Sequence, residues 1–269
     1  MKLRHFIIPA AAVVGAAAYL LAPEKADSAK TAPFKGRNFA HRGLHTKDGA
    51  APENSLPAFK AAALMGYGVE LDVHITADNK LVVFHDDTLM RMCGDPRNIE
   101  DLTYDELSEF TLGHTDCKIP LLTEVFEALD GAPIILELKR GKRNELLCAL
   151  AFALMQDYKG DICIESFDPF IVGWFKKNAP EVLRGQLSRH YTKIKETNKV
   201  TAFILSNLLT NCIARPNFIA YEIGKKPLTV KICEKMGAMK VCWTSKSAIN
   251  EIGNDAVIFE NYMPNVRFK

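Results

Sequence analysis

The chain has 269 residues, of which 48% are hydrophobic and 25% are charged, and its formal net charge is +2. Such values are ordinary for a globular protein and supply enough apolar material for one large core. The small charge, without a basic stripe interleaved with aromatic residues, argues against nucleic acid as a partner. The seven cysteines include no CxxC pair, so we expect free and mostly buried thiols. Nothing in the composition points to an obligate protein partner.

Residues 1–22 differ in composition from the rest of the chain. Lys2 and Arg4 precede an apolar run, 6–22, that is interrupted only by Pro9 and Gly15. A charged start followed by an apolar run is typical of an export signal or an N-terminal membrane anchor. We predict an uncleaved hydrophobic helix that holds the protein in the membrane, with the rest on the extracytoplasmic side. Cleavage of this segment would give a secreted protein instead.

Residues 23–37 are polar and rich in small side chains, which predicts a linker. In residues 38–269 short apolar runs alternate with helical patterns, which indicates an α/β fold with a parallel sheet. Eight strands in this length favour a single closed (β/α)8 TIM barrel over an open doubly wound sheet. The predicted strands are 38–42, 69–76, 134–139, 162–167, 183–187, 218–223, 240–244 and 256–260. The predicted helices are 56–65, 103–109, 123–128, 144–157, 169–178, 229–236 and 246–252.

Two segments depart from strict alternation. Residues 81–85 form an extra strand, joined to strand 69–76 by a hairpin-like turn at 77–80. Residues 205–214 form an additional helical piece before strand 218–223. The sequence contains neither GxGxxG after a strand nor GxxxxGK[ST], so it gives no support for nucleotide binding.

The first polar motif is Phe39-Ala-His-Arg-Gly43, in which His41 and Arg42 lie at the C-terminal end of a predicted strand. The carboxyl ends of barrel strands are where active sites of this fold form. Taken alone, the pair could equally be a core histidine followed by a surface arginine. Downstream, Asn54 or Ser55 can cap the next helix. Glu53 precedes that cap, and we expect it to point back towards the loop after the first strand.

The second motif lies on the predicted strand 69–76. Side chains alternate along a strand, so Glu70, Asp72 and His74 share one face. Carboxylates on the inward face of a barrel are costly to bury without a compensating cation. A hard divalent ion with oxygen ligands explains them economically. Salt bridges from the two carboxylates to lysine or arginine are the alternative.

Two more motifs reach the same mouth of the barrel. His85 ends the extra strand beside Glu70 and Asp72, and strand 134–139 carries Glu137 and Lys139 on one face. The combined set suits attack on a phosphate ester. Three carboxylates could hold a metal that neutralises phosphate oxygens, the basic side chains could stabilise developing negative charge, and two histidines could act as base and acid.

These motifs resemble those of the glycerophosphodiester phosphodiesterases. The resemblance rests on an ordered series that covers essentially all of residues 38–264. The series comprises His41-Arg-Gly43, Pro52-Glu-Asn-Ser55, Ala58-Phe59, Glu70-Leu-Asp72, His85-Asp86, Glu137-Leu-Lys139, Ser166-Phe167-Asp168, Ala179-Pro180, Arg184-Gly185 and Trp243-Thr244. The sequence departs from the family pattern at Glu260-Asn261, where a Thr-Asp pair is more usual, and at His74, where Arg or Gln is more usual.

The resemblance implies a (β/α)8 barrel that hydrolyses glycerophosphodiesters to glycerol 3-phosphate and an alcohol. It implies one divalent cation, Ca2+ or Mg2+, as the cofactor. The implied acid–base pair is His41 and His85. The implied metal ligands are Glu70, Asp72 and Glu137, and the implied substrate contacts are Arg42, Lys139, Glu53 and Trp243.

Two other functions are compatible with the sequence. The first is a phosphodiesterase acting on membrane lipids, such as a lysophospholipase D or a phosphatidylinositol phospholipase C-like enzyme. The predicted N-terminal anchor would keep such an enzyme beside its substrate. The second is a non-catalytic barrel that has kept only the fold, but a barrel without activity has no need to retain the complete set of polar residues.

Overall fold

The computed structural model describes residues 4–269, with side chains from residue 12 onward. Eight parallel strands close into a barrel, in the order β1, β2, β4, β5, β6, β7, β8, β9 and back to β1. β3 lies outside this ring and pairs antiparallel with the end of β2, with Val73 opposite Val83. The strands are β1 (Arg37–His41), β2 (Gly68–Ile75), β3 (Leu81–Val83), β4 (Ile134–Leu138), β5 (Ile162–Ser166), β6 (Arg184–Ser188), β7 (Phe218–Glu222), β8 (Met239–Ser245) and β9 (Ala256–Phe259). The predicted closed barrel and its extra strand are confirmed.

Most helices pack around the barrel and cover the outward faces of the strands. They are α1 (Arg4–Leu21), α2 (Ser28–Thr31), α3 (Leu56–Leu64), α4 (Met90–Cys93), α5 (Tyr104–Ser108), α6 (Leu122–Leu129), α7 (Asn144–Met155), α8 (Pro169–Asn178), α9 (Lys199–Ser206), α10 (Asn211–Ala214) and α11 (Leu228–Lys235). Ser55 caps α3 by accepting from the backbone N–H of Ala58, as its position before the helix predicts.

Two helix predictions were inaccurate. The piece predicted at 205–214 is two helices, α9 and α10, separated where Leu208 adopts a left-handed backbone with φ of 57°. The helix predicted at 246–252 is a single 3-10 turn, Ala248–Glu251. Its serine cap and short apolar content resemble a helix start, but the chain must return to β9 within a few residues.

The apolar core has two main layers. Outward-facing strand residues such as Val69 and Leu136 pack against the helices. Inside the barrel, Phe34, Phe39 and Phe218 fill the end opposite the carboxyl ends of the strands. This packing leaves polar side chains concentrated at the other end of the barrel interior.

The segment predicted as a linker, residues 23–37, lies against the barrel. Glu24 Oε2 accepts a 2.6 Å hydrogen bond from the guanidinium of the fully buried Arg184 at the start of β6. Asp27 caps α2, and Phe34 enters the barrel core. These contacts make the segment part of the closed lower end of the barrel.

The N-terminal hydrophobic segment contains α1, whose last residue, Leu21, is buried beside Leu208 and Ile219. Within residues 4–269, no helix is both long and apolar enough to cross a membrane. The membrane anchor predicted for residues 1–22 is not confirmed, and its first three residues lie outside the described part of the chain.

Residues 84–120 form a compact excursion between β3 and α6. A separate small core holds it together, made of Phe84, Leu89, Ile99, Leu107 and neighbouring residues. Thr103 and Glu106 form a reciprocal capping box at α5. The excursion places Arg91 of α4 in contact with Glu53 and Asp86.

Candidate active site

A small pocket opens at the carboxyl ends of the barrel strands. One side of its wall is charged, the other mainly apolar. The lining residues are His41, Arg42, Glu70, His85, Glu137, Glu165, Phe167, Leu187, Arg189, Trp243 and Ile258. Both histidines of the predicted acid–base pair therefore face the same space.

Three predicted metal ligands meet on one side of this pocket. Asp72 on β2 lies in register with Glu137 on β4, and Glu70 is two residues earlier on the same inward face. One carboxylate oxygen from each lies within 4.8 Å of the others. Alternation along β2 and the pairing of β2 with β4 together produce this cluster, as the sequence predicts.

Two basic side chains contact the carboxylates directly. Lys139 Nζ lies 2.9 Å from Asp72 Oδ1 and 2.8 Å from Glu137 Oε1. Arg42 Nε lies 3.3 Å from Asp72 Oδ2, and its Nη1 lies 2.7 Å from Glu53 Oε1. The salt bridges that were the alternative to a metal are thus present at Asp72.

The remaining negative charge is not fully compensated. Burial would raise the pKa of Asp72, but Lys139 and Arg42 outweigh burial and hold that pKa well below its ordinary value. Burial and the neighbouring carboxylates instead raise the pKa of Glu70 and Glu137. Such a cluster of oxygen donors short of positive charge fits a hard divalent cation, which Glu70, Asp72 and Glu137 would hold.

His41 sits at the junction of the first and last strands. Its Nε2 lies 3.9 Å from Glu70 Oε2, and its Nδ1 lies 3.7 Å from Glu260 Oε1. Burial lowers the pKa of His41, which favours the neutral imidazole. Arg42 and Gly43 follow with φ of 56° and 80°, and this left-handed turn reverses the chain above the pocket.

His85 belongs to a chain of ion pairs that crosses the mouth. Its Nδ1 lies 2.5 Å from Asp86 Oδ1. Arg91, on α4, donates to Asp86 Oδ2 at 2.6 Å and to Glu53 Oε1 at 2.7 Å. Since Glu53 also accepts from Arg42, the chain links the predicted acid–base histidine to the loop after β1. This gives Glu53 a supporting position, with Arg42 and Arg91 between it and the pocket.

The other predicted or uncertain residues have defined surroundings. Trp243 Nε1 donates to the backbone oxygen of Ala220 at 3.0 Å, and its ring meets Phe167 edge to face at 5.7 Å. This holds the indole in the pocket wall. His74 is buried, and burial lowers its pKa to about 4. Its Nε2 lies 3.4 Å from the His85 backbone oxygen, which indicates a structural role.

Four polar residues of the site were not predicted from the sequence. Glu165 on β5 lies in register with Glu137 and has a buried Oε2 with no hydrogen-bond partner within the described chain. Arg189 lines the pocket and lies over Phe167, with its Cζ 5.5 Å from the ring centre. His45 and Glu260 meet beside His41. Only Glu165 carried a usable signal, because it alternates with the outward Ile162 and Ile164.

Comparison with known proteins agrees with this geometry. Residues 41–262 match the model of the glycerophosphoryl diester phosphodiesterase family. The chain belongs to this family. The matched region runs from the histidine that ends β1 to the turn after β9, so it includes the barrel strands from β2 to β9.

Curated relatives in the family match over part of their length. A lysophospholipase D of Rattus norvegicus is 37% identical over 139 residues, which are 47% of this chain and 43% of that protein. A glycerophosphodiester phosphodiesterase of Caldanaerobacter subterraneus is 31% identical over 160 residues, 55% of this chain and 65% of that protein. The matched regions thus cover 43% of the length of the first relative and 65% of the length of the second.

Solved structures match over most of the barrel. A glycerophosphodiester phosphodiesterase from Thermotoga maritima is 26% identical, with a TM-score of 0.60 over 82% of this chain and 93% of that one. A glycerophosphodiester phosphodiesterase from Parabacteroides distasonis is 25% identical, with a TM-score of 0.64 over 84% of this chain and 93% of that one. The protein therefore shares its barrel fold with phosphodiesterases of known structure.

Proposed function

We propose that the protein hydrolyses glycerophosphodiesters to glycerol 3-phosphate and an alcohol. The observation that carries the proposal is the meeting of His41 and His85 in one pocket with Glu70, Asp72 and Glu137. Family membership and the glycerophosphodiester phosphodiesterase relatives support it.

The chain's own residues would divide the reaction between them. One histidine takes a proton from the attacking water molecule while the water oxygen forms the new P–O bond. The other gives a proton to the alcohol oxygen as its bond to phosphorus breaks. Arg42 and Lys139 bring positive charge to the place where negative charge accumulates. A Ca2+ or Mg2+ ion held by the three carboxylates would supply charge neutralisation at the phosphate oxygens.

The surroundings of the histidines suit these roles. The Asp86 carboxylate lies 2.5 Å from His85 Nδ1 and fixes the orientation of that ring. His41, with its lowered pKa, is more readily neutral. We therefore propose His41 as the base that takes the proton from water and His85 as the acid that protonates the departing alcohol.

The deciding experiment measures release of glycerol 3-phosphate from glycerophosphocholine. We expect His41→Ala and His85→Ala each to lower kcat by at least about 100-fold, the lower range for one acid–base group. Thermal stability should change little, because both side chains lie at the pocket surface. The chelator EDTA should remove activity, and a titration with Ca2+ and Mg2+ should restore it and identify the preferred ion. Retained activity in either variant or in chelator would refute the corresponding role.

A second candidate is hydrolysis of lysophospholipids. Its support is the lysophospholipase D relatives together with the apolar side of the pocket, which Phe167, Leu187, Trp243 and Ile258 form. Comparing kcat/KM for glycerophosphocholine and lysophosphatidylcholine separates the two candidates. A preference of more than about tenfold, equivalent to 1.4 kcal/mol, would decide between them.

We also propose that residues 1–22 direct the barrel to the extracytoplasmic side. The charge of Lys2 and Arg4 ahead of the apolar run supports this orientation. Cell fractionation of the full-length chain tests the proposal. Recovery in the membrane pellet supports an anchor, a shortened external form indicates a cleaved signal, and full-length protein in the cytosol contradicts both.

A further inference from the structure

A second cluster of potential metal ligands lies beside the acidic site. His41 ends β1, His45 follows four residues later, and Glu260 follows β9. Glu260 Oε1 is shared by the two imidazoles, at 3.7 Å from His41 Nδ1 and 3.2 Å from His45 Nε2. The ligand atoms of the three residues all lie within 4.8 Å of one another.

These distances suit one tetrahedral transition-metal ion. Zn–N and Zn–O bonds of about 2.0–2.1 Å place neighbouring ligand atoms about 3.3–3.4 Å apart. The two distances from Glu260 Oε1 lie on either side of that value. The other oxygen, Oε2, faces Lys246 Nζ at 3.8 Å. Because the Lys246 side chain is exposed, it can balance the carboxylate charge without occupying the position between the imidazoles.

The hydrogen bonding of the two histidines also supports a cation bound between them. His41 Nδ1 and His45 Nε2 are both buried, and neither makes a hydrogen bond of good geometry to any part of the described chain. Buried ring nitrogens normally have a partner. Here two of them converge on one carboxylate oxygen, an arrangement that a cation bound between them would satisfy.

The loop that carries His45 is held firmly. Gly43 adopts φ of 80°, and a Cβ at this position would lie 2.8 Å from the backbone carbon of Ala58. The backbone N–H of Leu44 donates to the Ala58 oxygen at 2.9 Å. His45 also borders an open cavity of about 440 Å³, through which an ion can enter.

We propose that His41, His45 and Glu260 form a second, inhibitory cation site that takes Zn2+ or a similar imidazole-binding ion. The nitrogen and oxygen donors distinguish it from the all-oxygen cluster of Glu70, Asp72 and Glu137. An ion on His41 Nδ1 leaves Nε2 carrying the ring's only proton. The imidazole then has no free lone pair with which to accept another, so His41 is removed from acid–base chemistry. The inhibition rests on the proposed function, whereas the binding of zinc does not.

The test has two readouts on the full chain held in saturating Mg2+. Zinc affinity and stoichiometry are measured by competition with a chromophoric chelator, and zinc inhibition is measured with glycerophosphocholine. We expect one zinc ion per chain under these conditions, with inhibition that added Mg2+ does not relieve. His45→Gln and Glu260→Gln should each weaken zinc binding by more than the roughly 10- to 100-fold typical of losing an outer-sphere partner.

His114→Gln is the matched control, because His114 borders the same cavity as His45 and lies outside the cluster. It should leave both zinc affinity and zinc inhibition unchanged, whereas the activity that His45→Gln retains should no longer be inhibited by zinc. Unchanged zinc affinity in both His45→Gln and Glu260→Gln would overturn the proposal, as would relief of inhibition by Mg2+. Zinc binding in a chain that does not hydrolyse glycerophosphodiesters would refute the proposed function and leave the site intact.

Discussion

Replacing Lys139 with methionine tests whether the acidic cluster is short of positive charge. Lys139 donates to Asp72 at 2.9 Å and to Glu137 at 2.8 Å, and all three side chains are at most 12% exposed. Removing one partner of a buried ion pair costs about 3–5 kcal/mol. Because the pKa of Glu137 is already raised, that carboxyl can take up a proton and reduce the loss. We therefore expect a loss of about 3 kcal/mol in chelator, equivalent to a fall in Tm of roughly 6–12 °C.

Bound metal should then reduce the difference in thermal stability between Lys139→Met and the parent chain. A divalent cation on the same oxygens replaces the missing charge, and an ion at about 100 times its Kd stabilises the native state by about 2.7 kcal/mol. Thermal melts in EDTA and in excess Ca2+ or Mg2+ measure both effects. Lys142→Met is the matched control, since its 2.7 Å pair with Asp101 is exposed and worth at most about 1 kcal/mol. Equal losses in the two variants, or a difference that metal leaves unchanged, would refute the reasoning.

Three further predictions concern other charged groups. Glu24→Ala removes the half-exposed carboxylate that pairs with the buried Arg184 guanidinium, and it should destabilise the chain by about 1–3 kcal/mol in denaturant titration. Burial raises the pKa of Glu165 above its ordinary value of 4.5. In chelator, ionisation of this carboxyl therefore favours the unfolded chain, and the folded protein loses stability as pH rises above 4.5. Glu165→Gln should therefore stabilise the chain at pH 8 and lose that advantage near pH 4.5, and a constant difference across this range would contradict the assignment. Arg91→Ala removes two charge-assisted hydrogen bonds to Asp86, at 2.6 and 3.2 Å, and should lower kcat about tenfold with little change in KM; partial rescue by Arg91→Lys would separate this effect from misfolding.

Short-range patterns account for the parts of the fold and site that were predicted correctly. Period-two alternation along β2 places Glu70 and Asp72 on the inward face whatever the strand's neighbours are. The same rule places Glu137 on β4 and Lys139, which directly follows β4, on one face. To place these residues at the site, the prediction needed only the assignment of the strands to a barrel. The alternation of strands and helices indicates that assignment.

The unpredicted contacts join residues far apart in the chain. Glu260 meets His41 and His45 only because the last strand closes against the first, and the register of that closure is not encoded in either segment alone. Arg184 finds Glu24 at a separation of 160 residues. Arg91 reaches Asp86 and Glu53 from an excursion whose small helix has no apolar periodicity. Composition describes residues 23–37 as polar, but it does not show that Phe34 enters the core.

The order of the strands divides the barrel mouth into two halves, and this division bears on substrate choice. The charged half runs through the ends of β9, β1, β2, β4 and β5, which are consecutive neighbours in the barrel. The other half is mainly apolar and carries Leu187 on β6 and Trp243 on β8, with Phe167 packed against the indole and Arg189 over the Phe167 ring. A phosphodiester bound with its phosphate over the carboxylates would direct one ester substituent along the apolar wall. The size and hydrophobicity of that substituent, more than the phosphate chemistry, would therefore distinguish a glycerophosphodiester from a lysophospholipid, and Trp243→Ala should change the ratio of their kcat/KM values more than either kcat.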